Sequence, residues 1–301
     1  MEITSRWRLI RHGPATGAYN MAVDEAVGRA VAEGAATPTL RFYAWAPPCI
    51  SLGRHQALAS VDTARCAALG YDVVRRPTGG RAILHTNELT YSVAARPEHP
   101  LMAGMVLDSY LRLSHGLVAG LQQLGIPAEE APGTNRAGRD VSAACFEVPS
   151  AYEIVAGGRK LLGSAQTRRA EYVLQHGSLP LTGDLTSLVD CLTFASEEER
   201  EALRLSLAER ATTVEGITGR SVSLAEAAGA LAAGFRSALN IELVESELSP
   251  AEQAWAEQLM HEKYLNAAWT NFRYGTRLMD AGAFSFSPAL DPAAVAGEVP
   301  S

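Results

Sequence analysis

Hydrophobic and polar positions along this chain follow two periods, which predict strands in some stretches and helices in others. Apolar residues at every second position, or short β-branched and aromatic runs, indicate strands, and a spacing of three to four indicates helices. Strands are predicted at Trp7–Ile10, Thr39–Tyr43, Cys49–Leu52, Tyr152–Val155, Lys160–Leu162, Tyr172–Leu174 and Gly177–Leu181. Helices are predicted at Asn20–Val31, Asp62–Leu69, Leu107–Leu124, Ser196–Ala211, Leu224–Leu239 and Pro250–Tyr264.

Residues that begin helices support these boundaries. Asp62, Ser223 and Ser249 stand where an N-cap side chain is expected, and Gly70 follows the second helix as a C-terminal stop. In the long third helix the apolar repeat predicts the inward face as Leu107, Leu111, His115, Val118 and Leu121-Gln122. The pattern as a whole predicts an α+β fold, a mixed and largely antiparallel sheet flanked by helices, with a helical C-terminal segment.

The stretch Val73–Val93 is the centre of this arrangement, and it predicts a strand, a tight loop and a second strand. Its loop is Pro77-Thr78-Gly79-Gly80, in which two glycines allow a ligand to approach the main chain and reach backbone N–H groups. The charged residues around the loop are Arg75, Arg76, Arg81 and His85. A hairpin turn with a solvated basic rim is the simpler interpretation, and the concentration of charge favours a site for an acyl or phosphate-bearing ligand.

A second turn, Gly157-Gly158, is a strong signal for a two-residue hairpin. Such a loop places Ala156 opposite Arg159 and Val155 opposite Lys160. Strict alternation then puts Lys160 on the same, partly apolar face as Leu162 and Val155. A lysine stem on that face can bring its ammonium to a carbonyl or a thiol, although a lysine beside a turn is usually solvated.

The composition of the chain argues against several classes of protein, namely nucleic-acid-binding, membrane, secreted and zinc-binding proteins. The 301 residues are 47% hydrophobic and 20% charged, with a net charge of −7 that argues against general nucleic-acid binding. An apolar run of membrane-spanning length and a secretory leader are both missing from the pattern, which favours a cytoplasmic protein without membrane contact. The four cysteines form neither a disulfide framework nor a zinc-binding spacing, so no metal site is expected.

Among the cysteines, Cys145 differs from the others. Cys49, Cys66 and Cys191 fall in apolar strand or helix patterns, which is typical of small buried hydrophobic residues. Cys145 ends a polar, glycine-containing stretch, Asn135–Ser142, and precedes a Pro-Ser break. Positive charge near a thiol favours the thiolate, so a pairing of Cys145 with Lys160 would make a nucleophile.

Three separated motifs, in order, resemble the biotin/lipoate protein ligase and octanoyltransferase superfamily. They are NMAVDEA (Asn20–Ala26), RRPTGGRAILH…ELTYSV (Arg75–Val93) and ACFEVPSAYEIVAGGRKLLGSAQTRR…VLQHGSLPL (Ala144–Leu181), with a weaker match at YLNAAWTNFRYG (Tyr264–Gly275). The combination of Arg81, where ligases carry a third glycine, with Cys145 in the CFE-type position resembles the LipM type of octanoyltransferase.

This resemblance implies a biotin/lipoate ligase-like catalytic domain over residues 1–245, a helical extension over 246–280 and a poorly ordered tail over 281–301. The implied activity moves an octanoyl group from octanoyl-acyl carrier protein to a lysine of a lipoyl-accepting protein, such as the glycine-cleavage H protein, without a cofactor. The implied catalytic residues are Cys145 and Lys160. The implied substrate-binding residues are Arg75, Arg76, Thr78, Gly79, Gly80, Arg81, His85, Gly163 and Ser164.

Several alternatives stay open from the sequence. The superfamily also contains ATP-dependent lipoate–protein ligases and amidotransferases that move octanoyl between lipoyl domains, and a binding protein that never becomes acylated belongs to a different class. His85 fits a site residue or a satisfied structural histidine equally well. The octanoyl chain needs an apolar slot, for which the strand faces around Tyr91, Val93 and Leu162 are candidates. Acidic partner domains need basic contacts, for which the candidates are Arg75, Arg76, Arg168 and Arg169.

Overall fold

An eight-stranded mixed sheet and a separate three-stranded sheet organise the protein. The structure, a computed structural model, describes residues 5–131 and 153–272. The strands are β1 (Ser5–Ala15), β2 (Thr39–Trp45), β3 (Cys49–Leu52), β4 (Asp72–Arg75), β5 (Ile83–His85), β6 (Glu88–Ala95), β7 (Ala128–Glu130), β8 (Ile154–Ala156), β9 (Arg159–Arg168), β10 (Val173–Pro180) and β11 (Ile241–Glu245). The large sheet has the order β11-β1-β2-β6-β10-β9-β8-β7, and the small sheet the order β4-β3-β5.

Helices cover both faces of the large sheet. They are α1 (Gly17–Ala32), α2 (Thr63–Ala68), α3 (Val106–Gln123), α4 (Glu197–Arg210), α5 (Val214–Thr218), α6 (Leu224–Leu239), α7 (Pro250–Leu259) and α8 (Ala267–Thr270). In the sheet, β1 runs parallel to β2 and β11, and the pairs from β2 through β6, β10, β9 and β8 to β7 are antiparallel. The predicted α+β class, with its mixed and largely antiparallel sheet, is confirmed.

Strand alternation divides the core between the two faces. On β2, Leu40 and Phe42 belong to the hydrophobic cluster that includes α3 and α6, whereas Tyr43 and Trp45 belong to the cluster that includes α1 and α7. All seven residues of β2 are buried, as expected for a strand covered on both faces. We refer below to the α1 face and the α3 face of the large sheet.

The predicted hairpin around Gly157-Gly158 is confirmed in its register. Ala156 pairs with Arg159, and Val155 pairs with Lys160. The two strands predicted in Val73–Val93 form, but Val73-Val74 lies in β4 of the small sheet and Thr90–Val93 lies in β6 of the large sheet. Between them is β5, and the stretch is different from a hairpin because β4 pairs parallel to one side of β3 and β5 pairs antiparallel to the other. The Thr-Gly-Gly loop therefore crosses from one edge of the small sheet to the other.

The predicted inward face of helix α3 is confirmed at Val118 and Leu121 and is wrong at Leu107 and His115. Leu113, Leu117 and Leu121 are buried, whereas Leu107 is 42% exposed and His115 is also exposed. The reason is a close crossing with α6, where a Cβ on Gly234 would lie 2.2 Å from the backbone nitrogen of Gly120. Glycine at the contact lets two backbones touch, and this rotates α3 away from the face that large apolar residues alone suggest.

The C-terminal segment from α7 to α8 is attached to α1 and β1 by ion pairs. Arg8 bonds both carboxylate oxygens of Glu252, and Lys263 Nζ lies 2.6 Å from Glu25 Oε2. Ser249 caps α7 as predicted, in a capping box with Glu252. The division at residue 245 stays a prediction, and the tail over 281–301 lies outside the described residues. Across residues 5–131 and 153–272, every helix is too short or too polar to cross a bilayer.

The α3–α6 crossing generates a prediction about stability. Gly234→Ala should destabilise the protein by roughly 1–3 kcal/mol, because the added Cβ meets backbone atoms that cannot rotate away. Gly229→Ala on the same helix is the matched control, since its Cβ would meet nothing within 4 Å. That variant should be neutral or more stable by up to about 1 kcal/mol through helix propensity. Urea unfolding midpoints measure both, and equal midpoints for the two variants would contradict the close crossing.

Candidate active site

The Thr-Gly-Gly loop lies between β4 and β5 with its two glycines toward the surface. Gly79 is half-buried and Gly80 is exposed, and Gly80 has φ +93°, which favours glycine. The loop rests directly on Gly53, where an added Cβ would lie 1.8 Å from the Gly80 carbonyl oxygen. Backbone groups of Gly79-Gly80 are thus accessible while the loop itself is supported from below.

Arg76 shapes this loop from the inside. Its side chain is buried, and its guanidinium donates at 2.8 Å to the carbonyls of Ser51, Gly79 and Arg81. Arg76 therefore satisfies backbone acceptors of the loop and its neighbour strand. The expected contact of Arg76 with an acidic partner domain is wrong, because its charge is enclosed by the loop.

Arg75 is also enclosed, on the other side of β4. It is fully buried, and its guanidinium donates to five main-chain carbonyls, those of Gly53, Arg54, Gln56, Trp269 and Thr270. Trp269 Nε1 donates back to the Arg75 carbonyl at 2.9 Å. The expected role of Arg75 at the partner surface is therefore wrong, since its charge holds α8 against the small sheet.

Three further arginines that the sequence predicts as contact residues are half-buried, and they lie in two different parts of the fold: Arg81, Arg168 and Arg169. Arg81 follows the Thr-Gly-Gly loop, and its carbonyl accepts from Arg76. Arg168 and Arg169 lie at the far end of β9, where Arg168 donates to the Met102 carbonyl at 2.8 Å. Arg168 also donates to Ser109 Oγ on α3 at 3.2 Å, which places its side chain on the α3 face. The expected contact of Arg168 and Arg169 with acidic partner domains stays a prediction.

Thr78 connects the loop to a buried polar network on the α1 face. Its hydroxyl lies 2.7 Å from His176 Nε2, and His176 Nδ1 lies 3.4 Å from Asp24 Oδ2. Asp24 in turn accepts from Arg41 at 2.7 Å. Burial lowers the pKa of His176 although Asp24 opposes this shift, so the ring is neutral at pH 7 and accepts from Thr78. His176 was missed from the sequence, where it stands only as part of the QHG motif.

Asp24 stays ionised within this network. Burial raises the pKa of Asp24, but Arg41, His176 and Ser92 together outweigh that effect, so that its pKa lies below the ordinary value. Tyr43 also donates to Asp24, at 2.9 Å. A charged carboxylate in this position fixes the His176 ring and, through it, Thr78.

His85 is a structural histidine in this protein. Its Nδ1 lies 2.7 Å from Glu88 Oε1, its Nε2 lies 2.7 Å from Ser51 Oγ, and Trp45 stacks on the ring at 3.9 Å between centroids. Glu88 also accepts from Thr90 and Ser178. Both ring nitrogens are used by the protein, which favours the second of the two interpretations left open by the sequence.

Lys160 is buried on β9, with an exposed fraction of 3%. Its Nζ donates to Glu153 Oε1 at 2.5 Å, and Glu153 is equally buried. Leu161 is an extra residue in the ladder, because Ile154 pairs with Leu162 while Val155 pairs with Lys160. Glu153 was missed from the sequence, although it stands two residues before Val155, the strand partner of Lys160.

The bulge moves the Lys160 side chain to the face of Gly163. A Cβ on Gly163 would lie 3.1 Å from Lys160 Cε and 3.4 Å from Nζ, so the glycine leaves room for the lysine. Gly163 and Leu162 point to opposite faces of β9. The expected common face of Lys160 and Leu162 is therefore wrong, and the unpaired Leu161 is the physical reason.

Ser164 and the residues expected to line an octanoyl slot lie on the α3 face. The Ser164 hydroxyl lies 2.7 Å from Tyr91 OH, and the Ser164 carbonyl accepts from Tyr110. Tyr91, Val93 and Leu162 are buried in the cluster shared with α3 and α6. Their surface is occupied by core packing, so they do not line an acyl slot in this structure.

Strand register brings Lys160 and Thr78 to one face of the sheet. Gly163, beside the Lys160 ammonium, pairs with Ser178 on β10, and Ser178 lies two residues from His176. Residues two apart on a strand share a face and are separated by roughly 7 Å. A buried ammonium and an accessible backbone loop on the same face can hold and polarise a carbonyl group.

The thiols that the structure describes lie in hydrophobic clusters. Cys49, Cys66 and Cys191 are free and buried, and burial raises the pKa of the Cys49 thiol. Cys145 and the Asn135–Ser142 stretch lie outside the described residues. Within the described ranges, no three His, Cys, Asp or Glu side chains are grouped as metal ligands.

Comparison with known proteins agrees with this architecture. The family profile described as the lipoyl protein ligase A/B catalytic domain matches residues 16–236. Octanoyltransferase LipM of Carboxydothermus hydrogenoformans is 45% identical over 269 residues, covering 89% of this chain and 99% of that protein.

The fold is also found in solved structures, among them two lipoate protein ligases. Lipoate-protein ligase A bound with ATP has a TM-score of 0.72 and 26% identity, covering 90% of this chain and 99% of that chain. The bi-partite lipoate protein ligase of Thermoplasma acidophilum, from a study that includes its E2 lipoyl domain, has a TM-score of 0.72 and 24% identity and covers 91% of this chain and 100% of that chain. From its sequence and its fold, the chain belongs to the lipoyl protein ligase A/B catalytic-domain family and, within it, to the LipM octanoyltransferases.

Proposed function

We propose that this octanoyltransferase carries the octanoyl group on Cys145. The Cys145 thiolate attacks the thioester of octanoyl-acyl carrier protein, and the carrier thiol leaves. A lysine amine of a lipoyl-accepting protein, such as the glycine-cleavage H protein, then attacks the octanoyl-enzyme and releases Cys145. The first step exchanges one thioester for another and the second forms an amide, so the reaction needs neither nucleotide nor cofactor.

The observation that carries this proposal is the burial of Lys160. A lysine is almost never fully buried unless it is paired, because the desolvation of an ammonium costs several kcal/mol. Here the ammonium is kept inside the protein by Glu153, beside a glycine that makes room for it. In the proposed reaction Lys160 assists deprotonation of the thiol and later handles the proton of the incoming amine.

The Thr-Gly-Gly loop supplies the second part of the proposed site. Backbone N–H groups of Gly79-Gly80 are candidates for stabilising the oxyanion that forms when each thioester is attacked. Support for this role comes from the loop's accessible backbone and from its anchoring through Arg76 and Thr78. A preformed loop does not have to reorganise when charge develops, which is the property that an oxyanion site requires.

Lipoyl acceptor proteins are the partners that the lipoylation-system relatives imply. The choice of H protein as acceptor, and of acyl carrier protein as donor, is part of the proposal. The buried Arg75 and Arg76 are removed from the partner surface, whereas the half-buried Arg81 beside the loop remains a candidate contact for an acidic domain.

Intact-protein mass spectrometry tests the nucleophile. After exposure to octanoyl-acyl carrier protein without ATP, the enzyme should gain one octanoyl mass and should lose it when H protein is added. Cys145→Ser should abolish transfer, while Cys49→Ser should not prevent acylation because that thiol is buried. Transfer by Cys145→Ser that requires ATP and free acid would establish the ligase mechanism instead. If octanoylated H protein acylates the enzyme and octanoyl-acyl carrier protein does not, the enzyme is an amidotransferase. If octanoyl-acyl carrier protein binds without acylating the enzyme, the protein is a carrier-binding protein.

Lys160→Met tests the lysine separately from the fold. The variant should lose at least about 100-fold in single-turnover octanoyl transfer, in the range typical of proton-transfer catalysis. Lys263→Met is the matched control, since Lys263 is also buried and paired with a glutamate at 2.6 Å. Each variant leaves a buried carboxylate without its lysine, so both should melt at lower temperature. A near-normal transfer rate in Lys160→Met would remove Lys160 from the mechanism.

A further inference from the structure

Glu153 contacts the lysine of the proposed mechanism, and that mechanism assigns it no role. Glu153 comes directly before β8, and its main-chain oxygen accepts from Ala131 N at 2.7 Å, which ties its backbone to the end of β7. The sheet edge therefore sets the backbone position of Glu153 without any contribution from Lys160. From this backbone the side chain, only 4% exposed, brings its carboxylate to the ammonium.

The Lys160 side chain is constrained from three further directions. The Lys160 carbonyl accepts from Thr212 N at 2.9 Å, so the backbone is held by the α4–α5 connection. The bulge at Leu161 directs the side chain to the Gly163 face, and Gly163 lets it lie against the strand. These contacts determine the path of the Lys160 methylene chain, and the ion pair with Glu153 determines the position of Nζ at its end.

The close pair also changes how Lys160 acts on its surroundings. An isolated ammonium attracts anions from every direction, but an ammonium 2.5 Å from a carboxylate acts as a dipole with little net charge. The field of a dipole depends on its orientation, and the side of Nζ turned away from Glu153 is the attractive one. The effect of Lys160 on a thiol or a carbonyl then depends on the direction that Glu153 imposes.

We propose that Glu153 is a positioning residue for octanoyl transfer, acting through Lys160 by directing its ammonium toward the reacting groups. This inference rests on the proposed role of Lys160. It requires that loss of the carboxylate lower the rate of the chemical step without weakening the binding of the donor. It also requires that the effect of Glu153 disappear when Lys160 is absent.

The experiment measures single-turnover octanoyl transfer from octanoyl-acyl carrier protein to H protein, over a range of donor concentrations. Glu153→Gln keeps the size of the side chain and an oxygen acceptor but removes the charge. We expect a fall of about 100-fold in the saturating rate, as for an Ångström-scale misplacement of a reacting group, with an unchanged half-saturating donor concentration. Glu153→Asp keeps the charge but places it one methylene further back, so its rate should lie between those of the wild type and Glu153→Gln. If Glu153→Gln fails to fold, Glu153→Asp takes its place in the comparison.

Glu25→Gln is the matched control for the loss of a buried carboxylate. Glu25 pairs with Lys263 at 2.6 Å in a similarly buried setting, so the two variants should lose comparable thermal stability. Glu25→Gln should keep its transfer rate within about 3-fold, a difference of less than 1 kcal/mol in barrier. Equal rate losses for Glu25→Gln and Glu153→Gln, or a wild-type rate for Glu153→Gln, would reduce Glu153 to a structural residue and overturn the proposal.

The double variant Lys160→Met/Glu153→Gln separates this inference from the mechanism beneath it. If Glu153 acts through Lys160, the double variant transfers octanoyl at the rate of Lys160→Met alone. A further loss in the double variant would show that Glu153 acts by another route and overturn the proposal. A wild-type rate in Lys160→Met alone would instead end the proposed role of Lys160, whatever Glu153 does.

Discussion

Charge that is taken out of water must be matched by charge or dipoles at close range, and this requirement organises the protein around its site. Arg75 and Arg76 are matched by main-chain carbonyls, Arg41 by Asp24, and Lys160 by Glu153. Because burying an ion costs several kcal/mol after relaxation, each of these side chains is held in the geometry that its partners allow. A buried charge therefore positions the backbone around it more strictly than an apolar contact of the same size.

The Thr-Gly-Gly loop and Lys160 lie on the same face of the large sheet for two reasons, the matching of buried charges and the register of β9 and β10. Arg76 and the Thr78–His176–Asp24 chain hold the Thr-Gly-Gly loop from below, and they leave the Gly79-Gly80 backbone open above. The bulge on β9 brings Lys160 to the same face. A thioacyl mechanism needs both elements close to one carbonyl carbon, and it needs no energy source beyond the thioester of the donor.

Patterns of residues close together in the sequence correctly predict several helices and one hairpin. The helices at Asn20–Val31 and Leu224–Leu239 and the register of the Gly157-Gly158 hairpin depend on residues within a few positions of one another, and they form as expected. The pairing of Lys160 with Val155 follows from the length of a two-residue loop. The triple motif indicated the family, which the relatives and the fold confirm.

Short-range periodicity and turn geometry are enough to predict the long helices and the central strands of the large sheet. They contain no prediction of the short elements β5, β7, β11, α5 and α8, which depend on pairing and packing with distant segments. Tertiary structure alone decided which of the arginines are enclosed, because the carbonyls that bind Arg75 come from segments more than 190 residues apart. The same is true of the close contact between α3 and α6 at Gly120 and Gly234, which lie more than 100 residues apart in the chain. Burial depends on what distant parts of the chain place beside a residue, and no local pattern contains that information.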